Sequence, residues 1–116
     1  KWINKENYHN QIENKSVIIT DSKLTILFAT KQISELTGFH KSEILGNSPR
    51  MFQGVLTSET TKNSIRKAIS KKHPFKEVIL NYRKDGSTYM CEIEAYPKFD
   101  QKNNLTHFIA FERIAS

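Results

Sequence analysis

The C-terminal third of the chain predicts three consecutive strands separated by two short turns, and this pattern constrains the fold more than any other. The turns fall at 84–87, which contains a glycine, and at 100–104, where residues that favour tight reversals cluster. The strands around them are predicted over 75–83, 88–97 and 105–114. Because tight turns join antiparallel neighbours, this part of the chain is expected to form an antiparallel meander.

The N-terminal half adds a β-hairpin and short helices. A β-branched segment over 16–20 and a second apolar segment over 24–29 predict the hairpin. Helical spacing then predicts a helix over 31–37, ended by Gly38, and a helical turn over 42–46. Strands at both ends with helices between them predict an α+β domain, in which a five-stranded antiparallel sheet carries short helices clustered on one face.

One longer helix is predicted to begin at a capping Thr57 or Ser58 and to end before Pro74. Its apolar residues at helical spacing are expected to form a buried stripe: Ile65, Ala68 and Ile69.

Alternation along the three C-terminal strands predicts which side chains point inward. The inward set is expected to comprise Ile79, Asn81, Tyr89, Cys91, Ile93, Ala95, Phe108, Ala110 and Glu112. Apolar residues on both faces of the strand over 75–83 suggest that the outer side of the sheet is covered too, by the N-terminal segment or by a partner subunit.

Composition limits the chain to one small domain. Its 116 residues, 37% hydrophobic and 26% charged, can build one modest core. Residues 16–116 are expected to form this domain, and 1–15 a flanking helix or tail. The net charge of +6 comes from scattered lysines, so no nucleic-acid binding is predicted. A single cysteine, Cys91, excludes an internal disulfide and fits a cytoplasmic location.

Several function classes have no sequence support. The chain contains no apolar run of the roughly 20 residues that a membrane helix needs, so no membrane insertion is expected. Its four histidines are not spaced for a shared metal site, and no Ser-His-Asp or phosphate-loop arrangement is present. Neither a metal site nor catalytic residues are therefore predicted.

The most informative loop runs from Gly46 to Gly54. Two glycines bracket a polar segment that carries Pro49, Arg50 and Gln53. Such a loop can hold an anionic or amide-rich ligand, but it offers no nucleophile of its own.

Several segments together resemble the PAS superfamily over residues 16–114. The resemblance is carried by Ile18-Ile19-Thr20-Asp21, Leu27-Phe28-Ala29-Thr30, Leu36-Thr37-Gly38-Phe39, Glu43-Ile44-Leu45-Gly46 and Asn81-Tyr82-Arg83-Lys84-Asp85-Gly86-Ser87. Within that superfamily the chain looks closest to the flavin-binding LOV branch and to related sensory-box domains. Residues 16–116 would then be a PAS domain.

The Gly46–Gly54 loop both matches and departs from the LOV pattern. Gly46, Arg50, Gln53 and Gly54 match it, whereas Pro49 replaces the photoreactive cysteine and Ser48 the preceding asparagine. The resemblance therefore implies a LOV-like domain without cysteinyl-adduct photochemistry.

The resemblance also implies a set of cofactor contacts. Arg50 and Arg66 would pair with a flavin phosphate, and Asn81 would bond the ring edge. The second edge asparagine is Cys91 here, and the edge glutamine is Glu112. The implied cofactor-binding positions are Thr20, Arg50, Gln53, Arg66, Asn81, Cys91 and Glu112.

Structural alternatives remain open for these residues. The two arginines could be solvated surface residues, and Asn81 could bond backbone groups instead of a ligand. Cys91 is expected to be a small core residue. Glu112 is expected to lie at an exposed strand end or to pair with a nearby Lys or Arg, because an unpaired buried carboxylate is costly. The alternative is a carboxyl that hydrogen-bonds a ligand or switches its protonation state.

The first functional hypothesis is a sensory module and not an enzyme. The resemblance implies that it relays ligand occupancy or dimer geometry to an effector in the same chain, such as a histidine kinase. A homodimer through the flanking helix and the outer sheet face is expected. One alternative is a redox or light sensor that binds FMN or FAD; haem is a weaker one. Another is a cofactor-free dimerisation module, whose pocket is filled by Met51, Phe52 and Tyr89.

Overall fold

A computed structural model describes residues 15–116, so the predicted flanking segment lies almost wholly outside the described residues. The elements are β1 (Val17–Asp21), β2 (Ile26–Ala29), α1 (Lys31–Thr37), α2 (Lys41–Ile44), a 3₁₀ helix (Pro49–Phe52), α3 (Glu59–Ser70), β3 (Phe75–Tyr82), β4 (Thr88–Phe99) and β5 (Leu105–Ile114). The predicted α+β class with a five-stranded sheet is confirmed.

The five strands form one antiparallel sheet in the order β2-β1-β5-β4-β3. The two long C-terminal hairpins are the predicted meander, although β4 continues two residues beyond the predicted end at residue 97. The first strand therefore pairs with the last, and β5 occupies the middle of the sheet. Because side chains alternate along each strand, this register decides which residues share the inner face.

Helix ends follow local rules that the sequence carries. Gly38 ends α1 in a left-handed conformation with φ of 80°, which a glycine adopts without steric cost. The Ser58 hydroxyl accepts a hydrogen bond from the backbone N–H of Thr61 and so caps α3. Pro49 takes the first position of the 3₁₀ helix, where its missing N–H costs nothing. Pro49 therefore has a local structural role in addition to its place in the loop.

The densest core lies between the short helices and the β1–β2 hairpin. The Phe39 and Phe52 rings meet edge to face, with centroids 5.9 Å apart. The buried cluster consists of Ile18, Ile26, Ala29, Ile33, Ile44 and Phe52. This packing holds α1, α2 and the 3₁₀ helix against one end of the sheet.

Helix α3 packs differently from the prediction. Its apolar stripe is only half-buried, and no residue of α3 is fully buried. The reason is that Ile65 and Ile69 line an open cavity between α3 and the sheet, although Ile65 also packs against the core residues Ile79, Tyr89 and Cys91. The expectation of a buried stripe at Ile65, Ala68 and Ile69 was therefore wrong.

The β3–β4 turn is clamped to the helical layer. The Lys84 ammonium pairs with the Glu43 carboxylate at 2.6 Å, and the Lys84 backbone N–H donates to the Thr37 carbonyl at 2.8 Å. The Arg83 Nε donates to the Leu36 carbonyl at 3.1 Å. The clamp fixes the position of the helices relative to β3 and β4, which form part of the cavity floor.

Candidate ligand-binding cavity

A cavity of about 330 Å³ lies between the helical layer and the inner face of the sheet. Its lining brings together residues that are far apart in sequence. Six of the seven predicted cofactor-binding residues line it: Thr20, Arg50, Gln53, Arg66, Asn81 and Glu112. The seventh, Cys91, is not among the lining residues.

The cavity walls are mainly apolar. Isoleucines from four elements and the Phe108 ring form most of the lining. Ala95 and Ala110 are direct neighbours on β4 and β5 and point to the same inner face. Because two small side chains meet there, the floor of the cavity stays open where larger side chains would fill it.

The mouth of the cavity carries three cationic side chains: Arg50, Lys62 and Arg66. Glu59 contacts two of them, Lys62 at 2.7 Å and Arg66 at 3.8 Å. Lys62 is half-buried, but Glu59 is exposed in both pairs, so the pairs contribute little to stability and an anionic ligand can compete for the cations. The Arg50 side chain is exposed and has no partner among residues 15–116. Both arginines thus lie at the surface and at the cavity mouth at once.

The loop that carries Arg50 and Gln53 is anchored to β3. A Cβ at Gly54 would lie 2.5 Å from the Tyr82 ring, so only glycine permits this close approach. The Thr57 hydroxyl accepts from the Gly54 N–H at 3.0 Å and donates to the Leu80 carbonyl at 2.8 Å. These contacts fix the loop beside the cavity.

Two uncharged polar side chains of the sheet face the cavity. The Thr20 hydroxyl donates to the Asp21 carbonyl at 2.9 Å, which leaves its oxygen free to accept. The Asn81 side chain makes no hydrogen bond to backbone within residues 15–116, and it lies close enough to the Tyr89 hydroxyl to affect its pKa. The alternative that backbone groups satisfy Asn81 was therefore wrong.

Glu112 departs most from its structural expectation. It is 7% exposed, lies on the inner face opposite Ile93, and has no cationic partner among the described residues. Its Oε1 lies 3.7 Å from the Cys91 thiol, which donates to it. Burial raises the pKa of Glu112 from 4.5 to about 7, an effect that the thiol contact only partly offsets. The expectation of an exposed or ion-paired Glu112 was therefore wrong.

Cys91 and Tyr89 are the buried neighbours of this carboxyl. Cys91 is fully buried, and burial, reinforced by the nearby Glu112, raises the pKa of its thiol far above the ordinary range. Burial likewise raises the pKa of the Tyr89 hydroxyl. Both groups are neutral at physiological pH, so Cys91 is a core residue and offers no reactive thiolate.

Two structural features are absent from residues 15–116. No three His, Cys, Asp or Glu side chains come together as a metal site. No helix in the same range combines the length and apolar character needed to cross a bilayer.

Comparison with known proteins identifies the family. A sequence model of the PAS domain matches residues 14–113. The chain belongs to the PAS domain family. It is 34% identical to phototropin-2 of Oryza sativa subsp. japonica over 101 residues, which cover 84% of this chain and 11% of that protein. It is 28% identical to the bacterioopsin transcriptional activator of Halobacterium salinarum over 97 residues, which cover 84% of this chain and 14% of that protein.

A solved light-oxygen-voltage domain, studied with a flavin analogue, has the same fold as this PAS domain. The TM-score is 0.88 at 26% identity, and the match covers 96% of this chain and 83% of that chain. The predicted class, a sensory and regulatory PAS domain with LOV-like structure, is confirmed. The chain spans only a small part of the two much longer relatives.

The sequence motifs did not predict two features of the cavity in this PAS domain. Lys62 lies four residues before Arg66 and so shares its helix face, a spacing that could have indicated the third cation. The Ala95–Ala110 pair, which opens the cavity floor, could be found only by knowing the register of β4 and β5.

Proposed function

We propose that this PAS domain senses a flat, largely apolar ligand that carries a phosphate, and that FMN is the best candidate. One observation carries the proposal. A single apolar cavity joins three cations at its mouth to uncharged polar groups and a carboxyl on the sheet. Its volume of about 330 Å³ lies at the lower end of the range for small-molecule sites, roughly 300–1,000 Å³.

Most of the lining fits FMN. Arg50, Lys62 and Arg66 would hold the phosphate, since guanidinium groups bind phosphate in bidentate fashion. Asn81 and Gln53 would bond the polar edge of the ring, and the isoleucine walls would cover its faces. When bound, a flavin supplies light absorption and redox chemistry. Pro49 has no thiol, so we propose that no cysteinyl adduct forms at this position.

We infer that ligand occupancy is read out through α3. Ile65 and Ile69 of this helix are only half-buried beside the cavity, and a ligand in contact with both would hold α3 closer to the sheet. Such a ligand binds one arrangement of α3 more tightly than others and so shifts the population toward it. An effector elsewhere in a longer chain, such as a histidine kinase, would respond to this shift.

The partner proposal rests on the outer face of the sheet. Val78 and Met90 on that face are 43% and 45% exposed. We propose that a second copy of the chain covers them, with the N-terminal segment contributing. A strictly monomeric sedimentation profile at high protein concentration would contradict this dimer.

A cofactor-free module remains the second candidate. Phe52 is buried in the helical core, and Tyr89 is buried beside Ile79 and Cys91. The cavity stays open next to these side chains, which is the observation that favours a ligand-holding role instead.

Titration with FMN and riboflavin, followed by flavin fluorescence, tests the proposed function. Arg66→Ala should weaken FMN binding about tenfold or more, because it removes a charge-assisted contact, and should leave the phosphate-free riboflavin unaffected. Arg113→Ala is the matched control. Arg66 and Arg113 have side chains that are 60% and 67% exposed, and each contacts a glutamate, but Arg113 lies on the outer face. Equal losses in both variants, or no binding of any flavin to the wild type, would contradict the proposal.

A further inference from the structure

We propose that Glu112 selects ligands by entering the complex as a neutral carboxylic acid, so that ligand binding takes up one proton from solvent. The proposal rests on the proposed function, since it concerns the same cavity. It assigns Glu112 a defined role, as the hydrogen-bond donor that meets an acceptor atom on the buried edge of the ligand.

The Glu112 carboxyl has one weak hydrogen-bond donor beside it and otherwise faces the cavity. The only hydrogen bond of its carboxyl within the described residues is the 3.7 Å contact from the Cys91 thiol, and a thiol is a weak donor. The residue nevertheless lines the cavity. A carboxylate in this position would lack the two or three strong donors that normally stabilise a buried anion, whereas the acid form needs only an acceptor.

Among residues 15–116, no opposite charge offsets the burial of this carboxyl. The titratable side chains on the same face of β4 are Cys91 and, two residues before it, Tyr89. Both are neutral. On β3, Asn81 is uncharged. Arg113 follows Glu112 in sequence but points to the outer face, where it pairs with Glu92 at 2.7 Å.

The cations of the helical layer also leave Glu112 without a partner. Arg50, Lys62 and Arg66 line the same cavity, yet none of them pairs with Glu112. Burial is therefore the dominant influence on the carboxyl, and it raises the pKa to about 7. A ligand that fills the cavity removes the remaining water and favours the neutral form further.

The proton balance sets the ligand preference. Above pH 7 the free carboxyl is mostly ionised, so binding must add one proton, which moves from solvent to a Glu112 oxygen. The resulting O–H donates to a carbonyl oxygen or an imine-type nitrogen of the ligand. A ligand that offers only an N–H at this position could donate to the carbonyl oxygen of the acid but would leave the buried O–H without an acceptor, which is costly. The cavity should therefore prefer ligands with an acceptor at this edge.

Calorimetric titration of the 116-residue chain with FMN, in two buffers of different ionisation enthalpy, measures the proton uptake directly. At pH 8 the FMN phosphate is already doubly ionised, so we expect close to one proton taken up per FMN, with affinity falling toward tenfold per pH unit above pH 7. Glu112→Gln keeps the shape and a donor but cannot ionise, so its uptake should vanish at pH 8. At pH 5.5, where the FMN phosphate itself exchanges protons on binding, the wild type and Glu112→Gln should give the same proton count. Glu94→Gln, on the outward-facing side of β4, should behave as the wild type. Binding to the wild type without proton uptake at pH 8 would overturn the proposal.

Infrared spectroscopy without ligand tests the acid state of Glu112 independently of the proposed function. The infrared band of a protonated carboxyl should be present at pH 5.5, decrease as the pH rises through 7, and be absent from Glu112→Gln. If no flavin binds at any pH but this band titrates near 7, the proposed ligand is wrong and the acid state of Glu112 stands. If FMN binds but the band is absent at pH 5.5, the proposed function stands and the role of Glu112 is overturned.

Discussion

Glu92 and Glu112 are two glutamates of one sheet, on adjacent strands, and their environments are opposite. On the outer face, Glu92 accepts from Lys76 at 3.1 Å and from Arg113 at 2.7 Å, and these contacts, first that of Lys76, lower its pKa. On the inner face, Glu112 has no cationic partner in the part of the chain that the structure describes, and burial raises its pKa to about 7. The outer carboxylate is therefore paired with cations of the protein, whereas the inner carboxyl is available to bond a ligand in the cavity.

The largest expected effect comes from filling the inner face. Ala110→Leu would place a bulky side chain beside Ala95, on the cavity floor, and should weaken FMN binding by about 100-fold or more through steric exclusion. Fluorescence titration measures the loss, and a thermal melt checks that the variant folds. His107→Leu, on the exposed outer face of the same strand, should bind FMN normally. Unchanged binding by Ala110→Leu would show that the ligand site lies elsewhere.

The second effect concerns stability and its dependence on pH. The pKa of Glu112 is raised on folding, from 4.5 to about 7, so the folded state binds more protons between these values. The stabilising contribution of Glu112 is therefore fully present below about pH 4.5, and it is lost as the pH rises through 7. Glu112→Gln should raise the free energy of unfolding by roughly 3 kcal/mol at pH 8 relative to the wild type, as estimated from the shift.

Urea unfolding of the wild type and Glu112→Gln at pH 4 and pH 8 measures this difference. At pH 4 the gain should disappear, because the wild-type carboxyl is protonated in both states. A gain of the same size at both pH values would mean that packing, and not ionisation, separates the two side chains.

The smallest effect belongs to the outer face. Glu92→Gln should lower the melting temperature slightly at neutral pH, because it weakens the contacts with Lys76 and Arg113. Since the pKa of Glu92 is lowered on folding, its contribution is present above the unfolded value of 4.5 and is lost as the pH falls through the folded value. Its pH dependence should therefore be opposite in sign to that of Glu112. If Glu92→Gln were instead stabilised at pH 8, as is expected for Glu112→Gln, the two faces of the sheet would not differ in this respect.

Much of the scaffold could be predicted because local rules determine it. Alternation placed Glu112, Asn81 and Cys91 on the inner face, and turn residues at 84–87 and 100–104 defined the meander. Alternation could also have shown that Arg113, next to Glu112, must point outward and cannot pair with it.

The cavity itself could not be predicted, because it depends on distances between elements. Nothing local to Ile65 and Ile69 distinguishes a buried stripe from one that faces open space. That distinction depends on how closely α3 approaches the sheet, and hence on the small side chains of Ala95 and Ala110. For the same reason the sequence motif grouped Cys91 with the ligand contacts, whereas the fold buries it behind Glu112.

The contrast between the two faces is tested most directly by NMR titration of the glutamate side-chain carboxyl carbons. Glu92→Gln and Glu112→Gln assign the two signals, and the same ligand-free sample reports both groups. We expect Glu112 to titrate near pH 7 and Glu92 below 4.5. If both carboxyls titrate together near 4.5, Glu112 is an ordinary ionised glutamate, and the proposed neutral acid in the cavity is contradicted.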